Sequence, residues 1–126
     1  MSKKTIHTKA APAAIGPYSQ AIQTGNLLFV SGQIPINPVT NELVMDNIQD
    51  ETKQVMENLK AVLSAANVGL ENIVKTTIFL SDMSLFAAVN EVYGSYFTGD
   101  YPARETVAVK GLPKGVNVEI SAIAFI

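Results

Sequence analysis

The sequence contains no cysteine, and its only histidine is His7. Without cysteine there is no disulfide framework, no thiol nucleophile and no zinc–thiolate site. A lone histidine excludes the usual multi-histidine metal clusters and disfavours a catalytic triad built on histidine. The chain also lacks the glycine-rich patterns of phosphate-binding loops. We therefore expect any activity to need no metal, flavin, nicotinamide or pyridoxal cofactor.

Charge and long apolar runs are also scarce. Charged residues make up 16% of the chain, the net charge is −2 and the sequence pI is about 5.3. This balance argues against a large phosphate-binding surface and hence against nucleic acid as a partner. No apolar run approaches the ~20 residues of a membrane span. The basic start, Met1–Thr5, is not followed by the apolar segment of a signal peptide, so we expect a soluble cytoplasmic protein without membrane contact.

What the chain does have is apolar sequence for a core. Hydrophobic residues account for 48% of its 126 residues, with no repeat or low-complexity tract. This length leaves no room for a second core, so the sequence predicts a single domain over residues 1–126.

The pattern of apolar residues predicts an α+β chain in the order β-β-β-α-β-α-β-β, with a mixed sheet and two helices on one face. The predicted strands are 5–8, 19–24, 27–30, 73–80, 104–109 and 118–126. Asp46, with Gln49 three residues later, is the predicted cap of the first helix. The apolar stripe of that helix is Ile48, Val55, Met56, Leu59, Val62, Leu63 and Ala66. A second helix after Asp82 carries Leu85, Phe86, Val89, Val92, Tyr93 and Tyr96.

The predicted sheet has apolar residues on both of its faces. Residues 27–30 and 118–126 are apolar at successive positions, and successive strand residues point to opposite faces. Two helices can cover one face only. We therefore expect another subunit to bury the second face.

Two charged residues stand inside the last predicted strands. Arg104 begins one strand, and Glu119 lies between Val118 and Ile120 in the other. A carboxylate in an apolar strand is costly to bury without a partner or a function. If the two strands form a hairpin around Pro113, Thr106 lies opposite Glu119, and Arg104 is the diagonal neighbour of Glu119 on the same face. A one-residue slip would send Glu119 to the other face.

Each of the two charged residues has alternative interpretations. Arg104 could be a strand-edge arginine that pairs with Asp100 or Glu105, although Glu105 points away from its side of the strand. Burial beside Ile120 would raise the pKa of Glu119, whereas a nearby Arg104 would lower it, and the sequence leaves this balance open.

Several stretches together resemble the RidA/YjgF family of reactive intermediate (enamine/imine) deaminases. The stretches, in order, are Ala14–Gln20, Val30–Pro35, Val74–Thr77, Val89–Asn90, Pro102–Arg104, Leu112–Gly115 and Val118–Ile120. They match in spacing and span essentially the whole chain. No single tripeptide is specific, but the joint pattern is.

The resemblance implies a chorismate-mutase-like protomer assembled as a homotrimer, with ligand sites in clefts between subunits. It also implies hydrolysis of 2-imino or 2-enamino acids, such as 2-aminoacrylate or 2-iminobutyrate, to 2-keto acids and ammonia. Arg104 matches the family's carboxylate-binding arginine, and Glu119 matches the acid that serves the attacking water. The matched positions that line the cleft are Tyr18, Ser31, Gly32, Asn90 and Thr106. Judged without the family, Tyr18 packs after its turn and Asn90 is exposed on its helix.

The chain departs from the family pattern directly after the arginine, where many members have a small residue and then cysteine. Here Glu105 and Thr106 stand instead. The hydroxyl and carbonyl of Thr106 remain available, so we expect activity with altered preference, while the charge of Glu105 puts carboxylate affinity in question. Two other functions fit less well. One is a non-catalytic binding module for small carboxylates such as 2-keto acids, and the other is an RNA-directed role, which the acidic balance disfavours.

Overall fold

The framework of the protein is a mixed sheet of six strands, seen here in a computed structural model that describes residues 2–126. The strands in chain order are β1 (Lys3–Ile6), β2 (Ala21–Thr24), β3 (Leu27–Gln33), β4 (Ile73–Leu80), β5 (Ala103–Ala108) and β6 (Val118–Phe125). The helices are α1 (Ile48–Ala65), between β3 and β4, and α2 (Phe86–Ser95), between β4 and β5. This order confirms the predicted α+β arrangement.

The predicted hairpin between the last two strands is wrong. In the sheet order β1-β2-β3-β6-β4-β5, β6 lies antiparallel between β3 and β4, and β5 runs parallel to the far side of β4. Arg104 is therefore beside Thr76, and Glu119 is beside Phe79. The apolar strand β6 lies near the centre of the sheet, where both of its edges are hydrogen-bonded. The more exposed strand β5 lies at the edge of the sheet. The sequence neighbours β5 and β6 therefore do not pair with each other; each pairs with strands that precede both of them in the chain.

The helices begin slightly differently from the prediction. Asn47, not Asp46, caps α1, and its side-chain oxygen accepts a hydrogen bond from the backbone N–H of Asp50 at 2.8 Å. A short 3-10 turn, Met83–Leu85, precedes α2 and is capped by Asp82. The apolar stripe of α1 is confirmed, since its buried residues include Val55, Met56, Leu59, Val62 and Leu63.

One face of the sheet packs against both helices and forms the core. Along β6 every second residue from Val118 to Ala124 is buried in that core, while the residues between them point to the other face. No helix covers this other face, which we call the open face. It carries the apolar side chains Leu27, Phe29, Val107 and Phe125, which are 38%, 43%, 43% and 46% exposed. The predicted second apolar face is therefore present on the protomer.

Over residues 2–126, neither helix combines the length and apolar character that crossing a bilayer would require.

Candidate functional site

Arg104, the sole arginine of the chain, is held against helix α2. Its Nη1 donates a hydrogen bond to Oδ1 of Asn90 at 2.5 Å. Its guanidinium carbon lies 5.3 Å from the ring centre of Phe86 and 5.4 Å from that of Tyr93, which is cation–π distance. The arginine therefore presents its remaining N–H groups from a defined position.

The alternative interpretation of Arg104, a salt bridge to Asp100 or Glu105, is wrong. Within residues 2–126 the single ion pair joins Lys75 Nζ to Glu105 Oε1 at 2.6 Å. Glu105 lies on the open face, as the alternation of the strand predicts, and Arg104 lies on the helix face. The charge of Glu105 is thus both turned away from the arginine and balanced by Lys75.

A cleft of about 420 Å³ opens beside the guanidinium. Its lining residues are Asn90, Tyr93, Gly94, Tyr101, Pro102 and Arg104. Aromatic and proline surfaces form its walls, and one cation and one amide provide its polar contacts. A small organic anion with an apolar part fits this chemistry.

Glu119 lies on the open face of the sheet, away from Arg104. It is half-buried, and burial raises the pKa of its carboxyl. Arg104 makes no contribution to this shift because the sheet separates the two residues within a protomer. Within one protomer, burial is therefore the effect that sets the direction of this pKa shift.

Gly32 allows the carboxylate of Glu119 to sit where it does. A Cβ atom at Gly32 would lie 2.7 Å from Cδ of Glu119 and 2.9 Å from its Cγ, closer than carbon atoms approach. Gly32 belongs to a bulge in β3, where the register with β6 shifts between Val30 and Gln33. The bulge and the missing side chain together make room for the carboxylate.

A buried polar network fixes the chain just before Glu119. Glu51 of α1, which is 1% exposed, accepts hydrogen bonds from the backbone N–H of Asn117 at 2.6 Å and from its Nδ2 at 3.0 Å. The Oγ of Ser81 donates to Oδ1 of Asn117 at 2.8 Å. The residue before β6 is thus tied to α1 and to the residue that follows β4, which fixes the chain two residues before Glu119.

Tyr18, Ser31 and Gly32 line a second cleft, of about 510 Å³. The loop that carries Tyr18 is anchored by the buried Gln20, whose Nε2 donates to the carbonyls of Thr8 at 3.0 Å and Pro12 at 2.8 Å. Tyr18 itself is 55% exposed, so it does not pack as a core residue after its turn. Its ring is available at the rim of the cleft.

Thr106 lies two residues beyond Arg104 on the same face of β5. Its Oγ1 is buried and has no hydrogen-bond partner among residues 2–126. Buried hydroxyls are normally paired, so a single unpaired one beside the arginine is notable.

The predicted site residues thus form two groups. Arg104, Asn90 and Thr106 are on or near the helix face. Glu119 meets Gly32 at the open face, and Tyr18 and Ser31 line a cleft together with Gly32. One protomer does not bring the two groups together.

Sequence reasoning missed Tyr93 and Tyr101 as cleft residues. The apolar stripe of α2 predicts a core position for Tyr93, and the residue is indeed 2% exposed, yet its ring also lies 5.4 Å from the guanidinium carbon of Arg104. The sequence does contain a signal that predicts a shared site: Tyr93 follows Asn90 by three residues, and this spacing puts both side chains on one side of a helix.

Clusters of three or more histidine, aspartate or glutamate side chains positioned to hold a metal ion do not occur in the described part of the chain.

The fold and the arginine-lined cleft define a small α+β protein of the RidA/YjgF type. Residues 8–126 match the family model described as Endoribonuclease L-PSP, and the chain belongs to that family. A protein of this family from Yersinia pestis, described as a Rid protein of unknown function, is 51% identical with a TM-score of 0.97, over 99% of this chain and 100% of that one.

Two further relatives have informative names. The mouse 2-iminobutanoate/2-iminopropanoate deaminase is 48% identical over 122 residues, which is 97% of this chain and 90% of the mouse protein. Escherichia coli TdcF, solved with bound serine, is 44% identical with a TM-score of 0.94, over 98% of each chain.

Proposed function

We propose that this protein hydrolyses reactive 2-imino and 2-enamino acids, such as 2-aminoacrylate or 2-iminobutyrate, to 2-keto acids and ammonia. The observation that carries the proposal is the environment of Arg104. It is a cation at a cleft, held by an amide and two rings, and no carboxylate of residues 2–126 neutralises it. Such a guanidinium can bind a substrate carboxylate through two parallel hydrogen bonds.

The complete site requires more than one copy of the chain. Arg104 and Glu119 lie on opposite faces of one sheet, so a substrate can reach both only where the helix side of one copy meets the open face of another. The apolar side chains of the open face favour such contact. We propose a homotrimer with its clefts between subunits, as the family resemblance implies.

The chemistry follows from the two groups. Arg104 fixes the carboxylate and hence the position of the adjacent iminium carbon, which is already a strong electrophile. Glu119, ionised, orients a water molecule and takes its proton as the oxygen bonds to that carbon. Protonated Glu119 then delivers this proton to the nitrogen, the carbon–nitrogen bond breaks and ammonia leaves, while the hydroxyl gives its proton to the regenerated Glu119 carboxylate and becomes the keto oxygen. Release of that proton to solvent or to ammonia completes the cycle. An enamine enters the same path after tautomerising to the imine.

The carboxylate of Glu119 is well placed for this role. Burial raises its pKa above the ordinary value, which makes it a stronger base once it is ionised. Tyr18, Ser31 and Gly32 line the neighbouring cleft, and in our proposal they contact the substrate or the water. Asn90 contributes by holding Arg104.

The relatives support this assignment. The mouse protein is named as an imine deaminase. TdcF was solved with bound serine, whose carboxylate is equivalent to the one on the proposed 2-imino acid substrates. A binding module without catalysis would need Arg104 equally but would not need Glu119. The family's description as an endoribonuclease makes RNA cleavage a second activity to measure.

The decisive experiment generates 2-aminoacrylate or 2-iminobutyrate with a pyridoxal-phosphate enzyme and follows the release of keto acid and ammonia with and without this protein. We expect faster release, proportional to protein concentration. Unchanged release together with tight 2-keto acid binding would identify the binding module. RNA incubated with the same preparation serves as the comparison substrate.

The single-domain organisation, the independence from cofactors and the cytoplasmic location remain predictions. Dialysis against a chelator, followed by the same assay, tests the second of these.

A further inference from the structure

We infer that Tyr93, fixed in place by Thr76, is a positioning residue that sets the direction of the Arg104 guanidinium. The inference rests on the proposed function only for its effect on ligand binding. Its structural part concerns the arginine alone and can be measured without any substrate.

The three residues meet across two strands and a helix. Thr76 of β4 is the direct neighbour of Arg104 of β5 in the sheet. The hydroxyls of Thr76 and Tyr93 share a hydrogen bond of 2.7 Å, and Thr76 is 0% and Tyr93 2% exposed. The guanidinium carbon of Arg104 lies 5.4 Å from the centre of the Tyr93 ring. Of these two neighbouring strand residues, Thr76 therefore holds the hydroxyl end of the Tyr93 ring, and Arg104 places its guanidinium over the same ring.

The hydrogen bond restricts the ring because both of its hydroxyls are buried. Breaking this hydrogen bond would leave two buried hydroxyls unpaired, which is costly. The Tyr93 ring therefore keeps a fixed position relative to Thr76 of β4. Burial also raises the pKa of Tyr93, so its hydroxyl is neutral and can donate or accept in this bond. A neutral, immobile ring is a suitable support for a cation.

The two aromatic rings contact the flat face of the guanidinium and do not use its N–H groups. The N–H groups that do not bond Asn90 can therefore bind a ligand. Asn90 occupies Nη1, and Phe86 lies 5.3 Å from the guanidinium carbon. An arginine side chain otherwise loses considerable rotamer freedom when it binds a carboxylate. Holding it in advance reduces that loss, which should appear as tighter binding.

The test uses the fact that Arg104 is the only arginine, so its Nε–H and Nη–H signals in a nitrogen-edited NMR spectrum need no assignment. We expect separate, slowly exchanging Nη signals in the wild type. In Tyr93→Leu and in Thr76→Val these signals should merge as rotation about Cζ–Nε becomes faster. Tyr96→Leu is the matched control, since the hydroxyl of Tyr96 donates to Glu57 and the rings at cation–π distance from Arg104 are those of Phe86 and Tyr93.

Ligand binding provides the second measurement, with 2-ketobutyrate as the probe. A lost cation–π contact predicts roughly 2- to 5-fold weaker binding in Tyr93→Leu, with KM raised and kcat nearly unchanged. Tyr93→Phe keeps the ring but loses the hydrogen bond to Thr76, so it should match Thr76→Val and give Arg104 signals and an affinity between those of the wild type and Tyr93→Leu. A merely structural tyrosine would lower the thermal stability of Tyr93→Leu without altering the Arg104 signals.

The outcomes separate this inference from the proposed function. If the Arg104 signals are the same in the wild type, Tyr93→Leu and Thr76→Val, the positioning role is wrong. If Tyr93→Leu fails to fold, Thr76→Val decides alone, because it removes one hydroxyl and keeps the side-chain volume. A wild-type protein that neither binds 2-ketobutyrate nor releases keto acid contradicts the proposed function, while the NMR comparison still settles the role of Tyr93.

Discussion

Arg104 and Glu119 lie on opposite faces of the same sheet. Arg104 is beside Thr76, which bonds a core-facing tyrosine, and Glu119 is beside Phe79 on the face without helices. Since side chains of paired neighbours point the same way, the two charges cannot meet inside one protomer. Any reaction that needs both must take place between copies.

The first prediction therefore concerns assembly. Three protomers of 13.5 kDa should behave as a particle of about three times that mass in light scattering. Phe29→Asp places a charge in the middle of the open face and should reduce the mass to that of a monomer and abolish turnover. Val39→Asp is the control, because Val39 is 90% exposed in a loop outside the sheet. A wild-type monomer with full activity would contradict both the trimer and the shared cleft.

The second prediction concerns the carboxylate clamp. Arg104→Ala should weaken 2-keto acid binding by about 10- to 100-fold, the range expected for lost charge-assisted hydrogen bonds. Arg104→Lys should recover little, because an ammonium cannot form two parallel bonds. Calorimetry on both variants, with the exposed Lys60→Ala as a control for charge, measures the effect. Normal affinity in Arg104→Ala would disprove the clamp.

The third prediction separates chemistry from binding. Glu119→Gln keeps the size of the side chain but removes the base, so keto acid affinity should persist while turnover falls by about 10²- to 10⁴-fold. Glu91→Gln, at an exposed position of α2, should leave both unchanged. Full turnover in Glu119→Gln would rule out the general-base role and favour the binding module.

The fourth prediction uses the contact between Gly32 and Glu119. In Gly32→Ala the added Cβ would overlap the carboxylate, so Glu119 must move. Turnover should fall at least 10-fold, as for a misplaced catalytic group, with little change in keto acid affinity. Gly99→Ala is the control, since a Cβ there meets nothing within 4 Å. Equal rates for the two variants would show that the carboxylate tolerates displacement.

The fifth prediction is a pH dependence. Because burial raises the pKa of Glu119 and the base must be ionised, turnover should fall on the acid side at a pH above the ordinary carboxyl value of 4.5. This fall in turnover on the acid side of the pH profile should be absent from the residual activity of Glu119→Gln. A limb at or below 4.5 would mean that an arginine from a neighbouring copy outweighs burial.

The same raised pKa affects folding stability with a defined sign. The folded protein favours protonated Glu119, so this favourable contribution is complete below the unfolded pKa and is lost as pH rises through the folded pKa. Denaturant unfolding should therefore show Glu119→Gln gaining stability relative to the wild type as the pH increases through that range. The opposite trend would mean that the folded carboxylate is stabilised.

The sequence by itself determined the elements and the chemistry of their side chains. Alternation along 118–126 and the helical spacing of Val55, Met56 and Leu59 reflect local geometry, which depends only on residue order. The apolar residues on both faces of the sheet were visible for the same reason. The sole arginine and the carboxylate within an apolar strand could be identified because their cost of burial is a property of residue type.

Only the tertiary structure decided which strands became neighbours. Adjacent runs with a Gly/Pro break favoured a hairpin, but the centre of the sheet hydrogen-bonds both edges of the apolar β6, and this non-local gain outweighed proximity in the chain. That choice placed Arg104 and Glu119 on opposite faces, set Gly32 against the carboxylate and brought Tyr93 beneath the guanidinium. Pairing partners are distant in sequence, so no local pattern records them.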